Sequence, residues 1–83
     1  MTWYWLSFVD EDTGEFLGVV IIAGNSLESA LRASWRLKLN PGGEALGYPI
    51  PDQFVPPAKH RNRLLEKHEA KELADSVGKD GAA

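Results

Sequence analysis

The chain has 83 residues, 43% of them apolar and 25% charged, with no cysteine and a net charge of −3. That is the size of one small domain, and it excludes a disulfide-stapled miniprotein and a thiolate metal site. The negative net charge also argues against general nucleic-acid binding, whose usual footprint is a basic domain.

Thr2-Trp3-Tyr4-Trp5-Leu6-Ser7-Phe8-Val9 is rich in aromatic and β-branched residues, which fit a pleated surface and predict a first strand. Asp10 to Gly14 is an acidic turn with the glycine that a short hairpin loop needs, and Glu15 to Ala23 resumes as an apolar strand. Together they predict a β-hairpin. Gly24-Asn25-Ser26 breaks the strand, and Asn25 with Glu28 three residues on, or Ser26 alone, supplies the N-cap of a helix reaching about Lys38. Leu27, Ala30, Leu31 and Ser34 or Trp35 recur at helical spacing. Asn40-Pro41-Gly42-Gly43 stops this helix, because Asn tolerates the left-handed conformation, Pro cannot continue a helix and paired glycines permit a tight reversal.

Glu44 to Tyr48 then reads as a short third strand. Pro49, Pro51, Pro56 and Pro57 keep the next segment extended and remove amide donors, which predicts a surface crossing over residues 49–57. Pro57 suits the first turn of a second helix through Arg61, Leu64, Leu65 and His68, reaching toward Val77 with Gly78 as its stop. Leu64 and Leu65 lie off the stripe made by Ala70, Leu73, Ala74 and Val77. The expected organisation is one α+β domain over residues 1–78, in the order ββαβα, followed by a disordered tail over 79–83. The hairpin and short third strand pack on the first helix, and a second helix closes the chain.

Alternation divides the first strand into Tyr4, Leu6 and Phe8 on one face and Trp3, Trp5 and Val9 on the other. In the second strand it sets Phe16, Val20 and Ile22 against Leu17, Val19 and Ile21, so neither face is polar. Two apolar faces require two covers, and the first helix supplies only one. The second cover is then the C-terminal helix, another subunit or a ligand stacked on Trp3 and Trp5. In so small a domain this favours a homo-oligomer.

Charge is unevenly spread: the first 31 residues hold five acids and no base, while residues 32–63 hold six bases against Glu44 and Asp52. If Arg32, Arg36, Lys38, Lys59, Arg61 and Arg63 converge, they would attract phosphate or carboxylate. The longest apolar run, Phe16 to Ala23, is eight residues, and no basic flank of a signal peptide precedes the first strand. A cytoplasmic protein without membrane contact is expected.

Catalysis has little to work with. The serines sit in no Gly-x-Ser-x-Gly turn, and Asp10, Glu11 and Asp12 read as a solvated turn, so no catalytic residue is assigned and no enzyme is expected. His60 and His68 are eight apart, which does not place two ligands on one helical face, and exposed or capping roles are expected for both. No metal or cofactor is assigned.

Three features remain as a candidate ligand site. Trp3 and Trp5 offer indoles able to stack on a base or a partner side chain. Asn40, Gly42, Gly43 and Glu44 form a loop whose backbone amides could approach an anion, though it lacks the Gly-Lys-Ser/Thr of a P-loop and follows a helix C-terminus. Arg61 and Arg63 could grip phosphate. Together they describe a non-enzymatic, oligomeric protein capturing a phosphate-bearing small ligand such as a signalling nucleotide. The alternative is a protein-interaction module docking a partner through the apolar sheet face and tryptophans.

Through Trp5-Leu6-Ser7-Phe8, Phe16-Leu17-Gly18-Val19-Val20, Asn40-Pro41-Gly42-Gly43-Glu44 with Gly47 and Ile50-Pro51, and Asn62-Arg63-Leu64-Leu65, the chain resembles a group of small bacterial and phage proteins. The likeness spans residues 3–65 and implies a compact module, with no activity assigned to the group. In scale alone the chain is similar to phage proteins that sequester nucleotide signals in counter-defence, and no residue of theirs carries over.

Overall fold

In the computed structural model, which describes the backbone of residues 1–82 and the side chains of residues 1–76, strands β1 (Thr2–Val9) and β2 (Phe16–Gly24) form the expected hairpin. Asp10 organises the turn: its Oδ1 accepts the Asp12 and Thr13 N–H groups at 2.8 and 2.9 Å. These backbone donors, Thr13 first, hold the Asp10 carboxyl below the usual aspartate range. Pairing runs from Thr2 opposite Gly24 to Phe8 opposite Gly18, then slips so that Val9 faces Phe16. Leu17 is the extra residue of this bulge. Phe16 therefore packs with Val19 and Ile21, and Leu17 with Val20 and Ile22, the reverse of strict alternation.

Helix α1 (Leu27–Arg36) starts from Ser26 rather than Asn25: Ser26 is extended and its Oγ accepts the Ser29 N–H at 3.1 Å. The helix ends in a Schellman turn, in which the Leu39 N–H bonds the Ser34 carbonyl at 2.9 Å and the Lys38 N–H bonds the Trp35 carbonyl at 3.0 Å. The left-handed residue is Lys38, at φ 60°, and not Asn40. A side chain in that conformation costs about 1 kcal/mol that glycine avoids, so Lys38→Gly is expected to raise the midpoint of thermal unfolding by about 4–8 °C. The inward position is Ser34, fully buried, while Trp35 is 62% exposed.

Strand β3 (Glu44–Pro49) pairs antiparallel with β1, placing Tyr48 opposite Trp5 and Glu44 opposite Val9. The helix expected from Pro57 begins ten residues later. A 3-10 turn (Ala58–His60) leads through Asn62, at φ 55°, into strand β4 (Leu64–Leu65), which pairs with Val20 and Val19. Helix α2 (Lys67–Ala82) follows. Left-handed Asn62 interrupts any helix, and the two leucines that lay off the helical stripe are used by the sheet instead. The first turn of α2 is held by Glu69, whose carboxylate accepts the Glu66 N–H at 3.3 Å. The helical backbone runs past Gly78 to Ala82; the tail expected over residues 79–83 lies outside the residues whose side chains are described.

The sheet has the order β3-β1-β2-β4 and is antiparallel throughout, with helices on its faces, so the class is α+β. On one face Ala30 and Ala33 of α1 meet Leu6, Phe8, Val20 and Ile22. On the other, Ile50 and Phe54 from the proline segment and Ala70 and Leu73 from α2 close over Trp5, Val19 and Ile21. Residues 49–57 are thus more than a surface crossing, since Ile50, Phe54 and Pro56 are buried. The chain itself supplies a cover to each face, which meets the packing need that had favoured a second subunit. Among the described residues, no helix is long and apolar enough to cross a membrane.

Candidate functional site

The residues singled out from the sequence do not converge. In the loop before β3, Gly42 and Gly43 adopt φ 88° and 76°. Asn40 Nδ2 donates to the buried Ser34 Oγ at 3.1 Å, Ser34 Oγ donates to the Leu31 carbonyl at 2.6 Å, and Asn40 Oδ1 accepts the Gly42 N–H at 2.8 Å. The Gly42 amide that an anion would need is therefore already bonded. A Cβ on Gly43 would drive into the Val9 carbonyl oxygen and approach Leu17 Cδ1 to 2.9 Å, so this glycine lets the loop pass the end of β1. Glu44 is exposed and opens β3. The loop sits at the Val9 end of β1, and Trp3 lies six residues away, about 20 Å along the strand.

Trp3 is half-buried, with the Arg61 guanidinium carbon 5.2 Å from its ring centroid. Arg61 Nε donates to the Pro56 carbonyl at 2.7 Å, which fixes the side chain over the indole. Trp5 is buried and stacks on Tyr48, with centroids 6.2 Å apart and planes at 15°. Arg63 is committed elsewhere, its Nε donating to the Lys59 carbonyl at 2.7 Å and its guanidinium pairing with Glu69. The Arg63 hydrogen bond, with the Glu66 N–H second, holds the Glu69 carboxyl below its usual range. Of the eight candidates, the ligand-gripping pair that the fold assembles is Trp3 with Arg61.

The other bases disperse as well. Arg32 approaches Glu28 on α1 at 4.0 Å, while Lys59 reaches Glu72 of α2 at 3.6 Å, and these helices cover opposite faces of the sheet. A recess of about 450 Å³ lies beside Trp3, walled by Ile50, Pro51, Phe54 and Val55. Asp52 also lines it, and its carboxylate opposes an anion there. His60, for which an exposed or capping role is expected, is buried, and its Nδ1 has no hydrogen-bond partner. Glu66, His68 and Glu69 bring possible ligand atoms within 4.8 Å of one another, but Glu69 is already held by Arg63.

The surface that sequence reasoning passed over is β3. One sheet edge, β4, has two residues and runs almost directly into α2; the other, β3, has six and, among the described residues, no strand beyond it. The Ile50 N–H bonds the Trp3 carbonyl at 2.8 Å, which sets the phase of the ladder. Tyr48, Leu46 and Glu44 turn their backbone groups toward β1, so Ala45 and Gly47 present theirs outward, and Pro49 presents a carbonyl without a donor. Leu46 and Tyr48 are 65% and 54% exposed on the face that carries Trp5. Their alternation was legible in Glu44-Ala45-Leu46-Gly47-Tyr48, and Pro49, a residue confined largely to edge strands, was the local sign of an edge. Compared with protein-family models, curated proteins and solved structures, the chain matches none.

Proposed function

We propose that this protein is a protein-interaction module that accepts an extended strand of a partner along β3. The observation that carries this reading is the pairing of outward backbone groups at Ala45 and Gly47 with the exposed side chains of Leu46 and Tyr48. Open edges are commonly blocked by lysine, a bulge or an inward charge, and Ala45 to Tyr48 has none of these. Pro49 removes only the last donor. The stack on Trp5 orients Tyr48 before a partner arrives, which lowers the ordering cost of binding.

Capture of a phosphate-bearing ligand draws less support. The loop amides lie about 20 Å from Trp3, Arg63 is paired, and Asp52 lines the recess.

A titration of isotopically labelled protein, followed by amide and indole resonances, separates the two readings. Extended peptides with alternating apolar side chains are expected to perturb residues 44–49. Ala45→Pro, which deletes an outward N–H and leaves the bonds to β1 in place, is expected to weaken that binding about two- to tenfold, the worth of one net hydrogen bond. Nucleotides shifting the Trp3 indole and Arg61, with peptides leaving β3 unmoved, would return the capture reading to first place.

A further inference from the structure

The free edge of β3 is complementary to itself, and we propose that its partner is a second copy of this chain, joined through antiparallel β3–β3 pairing centred on Gly47. This rests on the strand-addition reading above. In a two-fold symmetric antiparallel pair the outward residues must meet one another, which a centre on Ala45, Gly47 or Pro49 achieves with a hydrogen-bonded pair at the axis and a centre on Leu46 or Tyr48 with a non-hydrogen-bonded pair there.

Gly47 is the favoured centre. A centre on Tyr48 sets each Gly47 against a donor-less Pro49, two bonds within the strand, and a centre on Leu46 forms four bonds between Ala45 and Gly47 but sets the Glu44 carboxylate opposite the Tyr48 ring twice. Centring on Pro49 sets two donor-less prolines against each other. Centring on Ala45 puts Leu46 opposite the partner's Glu44 and brings the two Glu44 carboxylates to about 7 Å along the strand, within a Debye length. Centring on Gly47 exchanges both N–H to carbonyl bonds between the glycines and lets each Ala45 N–H reach the Pro49 carbonyl of the other copy, four bonds in all. It also sets Leu46 opposite Tyr48 twice, in the closely spaced non-hydrogen-bonded positions where aromatic and aliphatic side chains pack best. The strand's one charge, Glu44, then faces Ile50 of the other copy, and the two carboxylates stand about 20 Å apart, beyond effective repulsion in physiological salt.

The product is one continuous eight-stranded sheet whose two-fold axis passes beside Gly47. The stacked Trp5 and Tyr48 rings of each copy flank the axis, and the exposed Leu46 and Tyr48 of the two copies join into one apolar strip.

The chain has no cysteine, so the register can be tested by cross-linking. Leu46→Cys and Tyr48→Cys replace side chains that are 65% and 54% exposed. A mixture of the two variants is expected to oxidise to a covalent dimer containing one of each, at least about tenfold faster than either variant alone, because only the 46–48 pair stands at disulfide distance. Equal cross-linking by Leu46→Cys alone would overturn the register. Sedimentation of the wild-type chain gives a second readout that avoids both cysteines. It is expected to show a dimer that dissociates at concentrations at least about tenfold higher in Ala45→Pro. A wild-type monomer at about 1 mM, with peptides still perturbing residues 44–49, would overturn self-pairing and leave strand addition standing. A monomer that also ignores peptides would overturn both.

Discussion

Gly43→Ala is expected to lose roughly 3 kcal/mol of stability, and Gly42→Ala only about 1 kcal/mol, when both are measured by urea denaturation. The two glycines share a left-handed backbone, at φ 76° and 88°, so the conformational penalty of a side chain is similar. Their surroundings differ. A Cβ at Gly42 meets nothing within 4 Å, whereas one at Gly43 meets the Val9 carbonyl, a backbone group of a central strand that cannot swing aside. The added cost at Gly43 is therefore steric and falls on the β1–β3 junction. Equal, small losses at both positions would show that the loop has room to spare and would revive a ligand-binding purpose for its glycines.

Leu73→Ala is the second large effect, expected at about 2–5 kcal/mol, the range for deleting a buried leucine whose cavity cannot collapse. Leu73 is 1% exposed and lies in the layer that closes over Val19 and Ile21. Leu64, 38% exposed on the edge strand β4, serves as the control, and Leu64→Ala should cost less than half as much. Losses of similar size at the two positions would mean that α2 contributes little to covering the second face. A large loss at Leu73 alone locates that cover inside the chain and leaves the β3 edge as the place where a partner adds, not as a repair of an incomplete core.

These measurements bear on how much of the molecule could be read in advance. The hairpin, the Ser26 cap and the third strand follow from local chemistry: aromatic and β-branched runs, a hydroxyl poised before a helix, and glycine next to proline. The second helix did not follow the same way. Pro57 suits the first turn of a helix, but no capping side chain precedes it and the basic residues after it oppose the helix dipole, and Leu64 and Leu65 pair with Val20 and Val19 instead. The off-stripe position of those leucines was the signal. The bulge at Leu17 left no such trace, because it arises from how two strands meet and not from either strand alone.

The candidate site divides along the same line. Residue type identified Trp3 and Arg61 as groups able to stack and to grip, and the fold brings them to 5.2 Å. Residue type could not say that Asn40 spends its amide on Ser34 and Gly42, that Arg63 is taken by Glu69, or that Trp5 is buried and stacked on Tyr48. By itself the sequence determined the hairpin, the alternation of its first strand and the need for two covers, because these depend on which side chains flee water and on spacing within a few residues. Tertiary structure alone decided which face α2 covers and which polar groups are already satisfied. Those outcomes depend on contacts between residues far apart in the chain, whose pairing no local pattern encodes.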